Sequence, residues 1–188
     1  WGDYWVEIYK KPEDEEEGRG WKSYVDDKMY LKDHMYPVLG ALHLEEVREA
    51  HIALLFAGLK TKRGKQFSQS AKQKVYFSLR GLFASALKNH LCTEDPMADY
   101  PKPVVDPPET PVFKQSHMDA ILNYLPQHPD GAKVALLLYS GARKGELCAL
   151  AKTSVDRENR LFEIRRTNRK TKNGEVPKEK TKTRHIRV

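Results

Sequence analysis

The sequence predicts a mainly α protein with a small β-sheet, divided into two domains. Three observations carry this. Apolar residues recur at three and four through most of the first ninety positions. Six prolines fall between Pro96 and Pro111. Alternating apolar and polar residues appear only near the C-terminal end, around Leu161 and Ile186.

The elements follow in order. Residues 1–9 are aromatic and form a short helix or a lead-in segment. Residues 13–17 make an acidic loop. Trp21, Tyr24, Val25, Leu31 and Met35 set out a helix, which Pro37 should end, because proline disfavours helix in the residue before it. A turn over Val38-Leu39-Gly40 follows. Residues 44–59 form a second helix, and 60–66 a basic loop around Gly64. Ser68 or Ser70 caps the next helix, which runs to about Asn89. Its Ala71, Val75, Leu79, Leu82 and Ala86 fall within an arc of about 80°, a buried stripe.

Prolines at the density of 96–111 exclude helix and central strand. Residues 93–112 therefore read as a semi-rigid linker between a domain at 1–92 and a second at 113–188. Ser116-x-x-Asp119 has the form of a capping box for a helix to Leu125. Residues 131–140 form an apolar, buried helix with Tyr139 in the core. Gly141 breaks it, and 143–151 form another short helix. Residues 161–165 alternate as a strand. Asn173-Gly174 suits a hairpin turn. Residues 183–188 alternate again.

Charge bears on function. The 188 residues carry a net +7, unevenly spread. Residues 1–50 hold 7 basic and 13 acidic side chains, residues 51–100 hold 8 and 3, and residues 151–188 hold 13 and 5. Two separated basic segments suit a polyanion gripped at two places. No apolar run is long enough to span a membrane. Cys92 and Cys148 have neither disulfide-framework nor zinc spacing and read as buried thiols of a cytoplasmic protein. His117 and His128 lack a second histidine at metal spacing and read as surface residues. The chain opens on Trp1 and closes inside an alternating segment, so it reads as a piece of a longer protein.

One segment concentrates chemistry. Gly141-Ala142-Arg143-Lys144-Gly145-Glu146-Leu147 sets Arg143 after a glycine break, at a helix start near free backbone N–H groups. Such a guanidinium suits a phosphate, and Glu146 one turn on can orient it.

Five segments together resemble the tyrosine recombinases, specifically the integrases of phages and conjugative elements. Gly141-Ala142-Arg143-x-Gly145-Glu146-Leu147 matches their first catalytic arginine motif. Ser154-Val155-Asp156 followed by 161–166 is similar to their helix-to-strand step. Lys180-Thr181-Lys182-x-x-His185-Ile186 resembles their catalytic-lysine hairpin. His34-Met35-Tyr36-Pro37-Val38-Leu39-Gly40 and the stretch from Ser68 to Pro96 resemble the core-binding domain. The resemblance implies a helical, SAM-like core-binding domain followed by a partial α/β catalytic domain. It implies DNA strand breakage and rejoining through a 3′-phosphotyrosyl intermediate, for integration or excision of a phage or mobile element. No metal or other cofactor is implied. The implied partners are double-stranded DNA and, for the full-length protein, further copies in a tetramer.

In this family Arg143 would stabilise the phosphate, supported by Glu146. A hairpin lysine, Lys180 or alternatively Lys178, with Lys182 third, would protonate the leaving oxygen. Lys60, Lys62, Arg63 and Lys65 of the loop, and Ser70, Lys72, Gln73, Lys74 and Arg80 of the helix after it, would lie against the duplex. Gln73 would be placed to read an adenine edge. Arg165, Arg166 and Arg169 add hairpin candidates. The family's His-x-x-Arg and nucleophilic tyrosine fall beyond Val188, so this chain alone is expected to bind DNA without cleaving it. The competing readings are a non-catalytic DNA-binding protein of the same ancestry and a basic RNA-binding or ribosome-associated protein. The latter fits the charge but not the run from Gly141 to Leu147.

Overall fold

The computed structural model describes residues 1–13, 20–107, 109 and 111–179. The chain forms two compact units, one of Trp1–Glu13 with Gly20–Pro108, the other beginning at Glu109.

The first unit is helical. It comprises α1 (Gly2–Trp5), α2 (Trp21–Tyr30), α3 (Tyr36–Leu39), α4 (Glu49–Gly58) and α5 (Gln69–Lys88). Its core gathers Trp5, Leu31, Met35, Ile52, Leu55, Val75, Leu79 and Phe83, all nearly inaccessible. In α5 the predicted stripe is buried at Val75, Leu79, Leu82 and Ala86, with Ala71 half-buried. Ser68, not Ser70, is the cap: its Oγ accepts from the Ala71 N–H at 3.2 Å.

Pro37 does not end the helix. Helix α2 widens into a π-turn at Leu31–Met35 and continues as α3. The Tyr36 N–H donates five residues back, to Leu31 O, and the widened turn lets the proline sit in the first turn of α3, where its missing N–H is tolerated. The helix expected over 44–59 also divides. His43 N–H donates to the Glu46 carboxylate at 2.9 Å and closes a 3-10 turn. Val47 and Arg48 are extended. Arg48 N–H then donates to His51 Nδ1 at 3.1 Å, starting α4 afresh.

The stretch expected to be a linker, 93–112, is not uniform. Its first part lies along the helical unit. Met97 is fully buried, Tyr100 stacks on Phe56 at 5.0 Å, and Gln73 Nε2 donates to Pro103 O at 3.1 Å. A proline-rich strand has few backbone donors of its own, so side chains and ring stacking hold it down. Val104 and Val112 are largely exposed.

The second unit holds α6 (Gln115–Tyr124), α7 (Gly131–Ser140), α8 (Lys144–Cys148) and four short strands. Strands β1 (Val155–Asp156) and β2 (Leu161–Phe162) pair antiparallel. Strands β3 (Arg166–Thr171) and β4 (Gly174–Glu179) form a hairpin with Thr171 opposite Gly174. The positive φ of its turn, +116°, falls on Gly174, and Thr171 Oγ1 donates to Gly174 O at 2.8 Å.

Several expectations for this unit are corrected. Helix α6 starts after Lys114, and Asp119 accepts from Gln115 at 2.9 Å instead of boxing Ser116. Helix α7 is only half-buried and Tyr139 is 73% exposed, because the apolar residues of α7 spread around the helix instead of along one stripe. Helix α8 stops at Cys148, which is exposed, while Cys92 is buried; burial raises the Cys92 thiol. The strand expected over 161–165 covers two residues, since Glu163 N–H turns to Ser154 O at 2.9 Å. The alternating segment at 183–188 lies outside the described residues, as does most of the acidic loop. Among the described residues no helix is long and apolar enough to cross a membrane.

Limited chymotryptic digestion should cut after exposed Phe113 before it cuts after Tyr100, which is stacked on Phe56. First cleavage after Tyr100 would show that the segment from Met97 to Pro103 is not held to the helices.

Candidate phosphate-binding site

The site is built where α7 gives way to α8. Gly141 takes the left-handed conformation, φ +61°, and closes α7 by donating to Leu137 O at 3.0 Å. A side chain there would be strained, so glycine reverses the chain at low cost. Ser140 Oγ accepts from the Ala142 N–H at 3.1 Å. Arg143, extended at φ −72° and ψ 148°, then occupies the N-cap position of α8.

Glu146 holds Arg143 twice. Its Oε2 accepts from the Arg143 backbone N–H at 3.0 Å, and its Oε1 accepts from guanidinium Nη1 at 2.9 Å. The first bond is half of a capping box. The Glu146 side chain is 1% exposed, whereas that of Arg143 is 46% exposed. This is not a solvated surface pair: a buried carboxylate fixes the base of a guanidinium whose face remains open.

Gly145 lets α8 approach the hairpin. A Cβ there would lie 3.0 Å from Thr167 Oγ1 and 3.4 Å from Asn168 O of β3. Thr167 in turn pairs with Lys178 on β4. The first turn of α8 therefore packs on the strand whose cross-strand neighbour is one of the two expected hairpin lysines. Lys178 is half-buried; Lys180 and Lys182 lie outside the described residues. Asn168 Oδ1, on the same strand, is buried without a hydrogen-bond partner.

The other predicted residues separate into groups. Arg165 lies before the hairpin and pairs with Glu163. Arg166 and Arg169 are on β3, opposite Glu179 and Val176. In the helical unit, Lys60, Lys62, Arg63 and Lys65 share one ordered turn. Lys60 bridges to Gln66, Thr61 N–H donates to Lys65 O at 2.7 Å, Gly64 N–H donates to Thr61 O at 2.8 Å, and Gly64 has φ +76°. All four cations are exposed. On α5, Ser70, Lys74 and Arg80 are exposed and Lys72 half-buried. Arg80 Nη1 donates to the Tyr76 hydroxyl at 2.9 Å. Gln73 does not project free: its amide is spent on Pro103. Sequence reasoning missed Gly145 as a packing joint, though a glycine inside a helical first turn is itself a signal of close approach. Among the described residues no cluster of His, Cys, Asp or Glu could hold a metal ion.

No protein-family model matches the chain, and no curated protein does. Solved structures do. The Tn1549 transposon integrase in complex with a circular intermediate DNA superposes with a TM-score of 0.75 at 18% identity, covering 98% of this chain and 58% of that one. The chain has an integrase fold. A second circular-intermediate complex gives 0.72 at 17% identity over 94% of this chain and 57% of that one. The complex with transposon right end DNA gives 0.71 at 19% identity, over 88% and 54%. This chain thus spans a little over half the length of the integrase chains it matches.

Glu146→Gln should lower the unfolding midpoint of the second unit. An amide cannot accept on both atoms, so one buried hydrogen bond is lost, about 1–3 kcal/mol. Glu158→Gln, in an exposed turn, is the control and should stay within about 0.5 kcal/mol. Equal urea midpoints for the two variants would show that Glu146 does not hold the start of α8.

Proposed function

We propose that this chain is the DNA-gripping part of a tyrosine-type integrase and that Arg143 binds the phosphate at which the strand is exchanged. The observation that carries the reading is the Arg143–Glu146 clasp. A guanidinium fixed through its own backbone and one nitrogen, and open on its other face, is preorganised for a phosphate oxygen. It loses little freedom when the anion arrives. The integrase fold supports the same reading, since the matched integrases hold DNA in their structures.

In the proposed reaction a tyrosine hydroxyl gives up its proton to solvent and attacks the phosphorus. A 3′-phosphotyrosyl bond forms as the bond to the 5′ oxygen breaks, and that oxygen leaves with a proton. Arg143 stabilises the charge that builds on the non-bridging oxygens. The proton comes from the hairpin lysine, Lys180 or Lys178. The ordered turn at 60–66 and the exposed face of α5 bind neighbouring phosphates, which position the duplex without reading it. A tetramer on two DNA sites belongs to the same reading.

Binding is tested on the chain itself. In a salt-titrated gel shift with duplex DNA, affinity should fall steeply as salt rises, since several phosphates are neutralised. Absence of binding even at low ionic strength would exclude the reading. Catalysis is tested in the protein carried through to the attacking tyrosine. Arg143→Lys keeps the charge but loses the planar fork and should slow cleavage on the order of 100- to 1000-fold. A 5′-bridging phosphorothiolate needs no proton to leave. It should rescue the alanine variant of whichever lysine is the acid and leave Arg143→Lys impaired. Rescue of neither Lys180→Ala nor Lys178→Ala would remove the general-acid role from this hairpin.

A further inference from the structure

Outside the 60–66 turn, the helical unit carries a second cluster of cations, and it is organised by two adjacent aromatic rings. Tyr76 and Phe77 meet edge to face at 5.7 Å. Tyr76 is buried, and its hydroxyl accepts from Arg80 Nη1 at 2.9 Å. Phe77 is 52% exposed, and the Lys102 ammonium stands over its ring, 5.3 Å from the centroid. Each aromatic residue thus seats one cation, Tyr76 through its hydroxyl and Phe77 through its ring face. Lys102 does not belong to α5. It comes from the proline-rich segment, and the neighbouring Pro103 carbonyl is fastened to α5 by the Gln73 amide at 3.1 Å.

Helical geometry puts Gln73, Lys74, Phe77 and Arg80 within an arc of about 120° on one side of α5. An exposed phenylalanine is a poor choice for a merely solvated face. Here it has a use: a cation held on an aromatic face keeps its charge while losing rotamer freedom before any ligand arrives. The residues carry three positive charges and, among the groups named, no carboxylate.

We propose that Lys74, Arg80 and Lys102 around Phe77 form a second phosphate-binding ledge for duplex DNA, separate from the 60–66 turn, and that the proline-rich segment is part of this interface. The proposal rests on the DNA-binding reading above and adds Lys102 and Phe77 as contacts, with Gln73 as the positioning residue that brings Lys102 to the ledge. Lys102 and Arg80 bind phosphate oxygens, and the Phe77 ring lies against the sugar between them. Gln73 acts through Lys102 and touches no DNA.

The test is the salt dependence of binding of this chain to a short mixed-sequence duplex. Lys102→Ala should reduce the slope of log affinity against log salt by about one, the loss of one phosphate contact. Gln73→Met keeps the length and removes the amide donor. It should lower the slope by a similar amount although no charge is lost, and the double variant should be no worse than Lys102→Ala alone. Lys22→Ala, on α2 and paired with Asp26, should leave the slope unchanged. The paired variant Lys62→Ala, Arg63→Ala reports on the other turn. If it lowers the slope while Lys102→Ala and Gln73→Met do not, the chain binds DNA and the ledge is wrong. If the unaltered chain does not bind, the DNA-binding reading itself fails. If Phe77→Ala changes the oligomeric state on sizing and leaves the slope intact, the patch is a protein contact and the proposal is overturned.

Discussion

A carboxylate stripped of water is costly unless its oxygens are taken up by donors. Glu146 meets much of that condition through Arg143, which gives a donor to each of its oxygens. The organisation of the second unit around the site depends on this bond pair. Helix α8 has five residues, far too few to persist by itself. It is held at its start by the clasp and along its side by the contact of Gly145 with β3. The interactions that stabilise the helix are therefore the ones that aim the guanidinium. If Arg143 swings away, a buried carboxylate oxygen loses its guanidinium donor, and the hairpin cannot move without losing its seat against Gly145.

The helical unit uses a related device with different chemistry. Its basic groups are long, flexible side chains, and each would lose conformational freedom on meeting a phosphate. Backbone bonds order the turn that carries Lys60, Lys62, Arg63 and Lys65. The Tyr76 hydroxyl holds Arg80, and the Phe77 ring holds Lys102. Prolines 101 and 103 flank Lys102 and stiffen its backbone. Much of the ordering that binding would demand is already present in the free chain.

Much of this was legible in the sequence, for identifiable reasons. Helix α5 announces itself because a serine cap precedes a clean apolar stripe. The α7–α8 break follows from Gly141, and the clasp from the spacing of Arg143 and Glu146. What was not legible depends on partners distant in sequence. Pro37 stops an ideal α-helix, but not one that widens into a π-turn before it. Tyr139 and Cys148 looked internal by composition, yet their helices present them to solvent. Residues 93–112 looked like a linker because prolines exclude regular structure. Proline says nothing against packing, and Met97, Tyr100 and Pro103 each find a partner among the helices. Gln73 offered an adenine-reading amide by residue type, and the fold assigns that amide to a carbonyl thirty positions away. The assignment between Lys178 and Lys180 turns on a hairpin whose first member alone lies among the described residues.

The most direct measurement is nitrogen-15 NMR of the arginine side chains, with and without duplex DNA. A guanidinium clasped by Glu146 has hindered rotation, so Arg143 should show separate, slowly exchanging Nη signals in the free protein. Those signals should shift when duplex DNA is added and return to their free positions when high salt releases it. A single averaged Arg143 signal in the free protein, unmoved by DNA, would contradict a preorganised phosphate site at the start of α8.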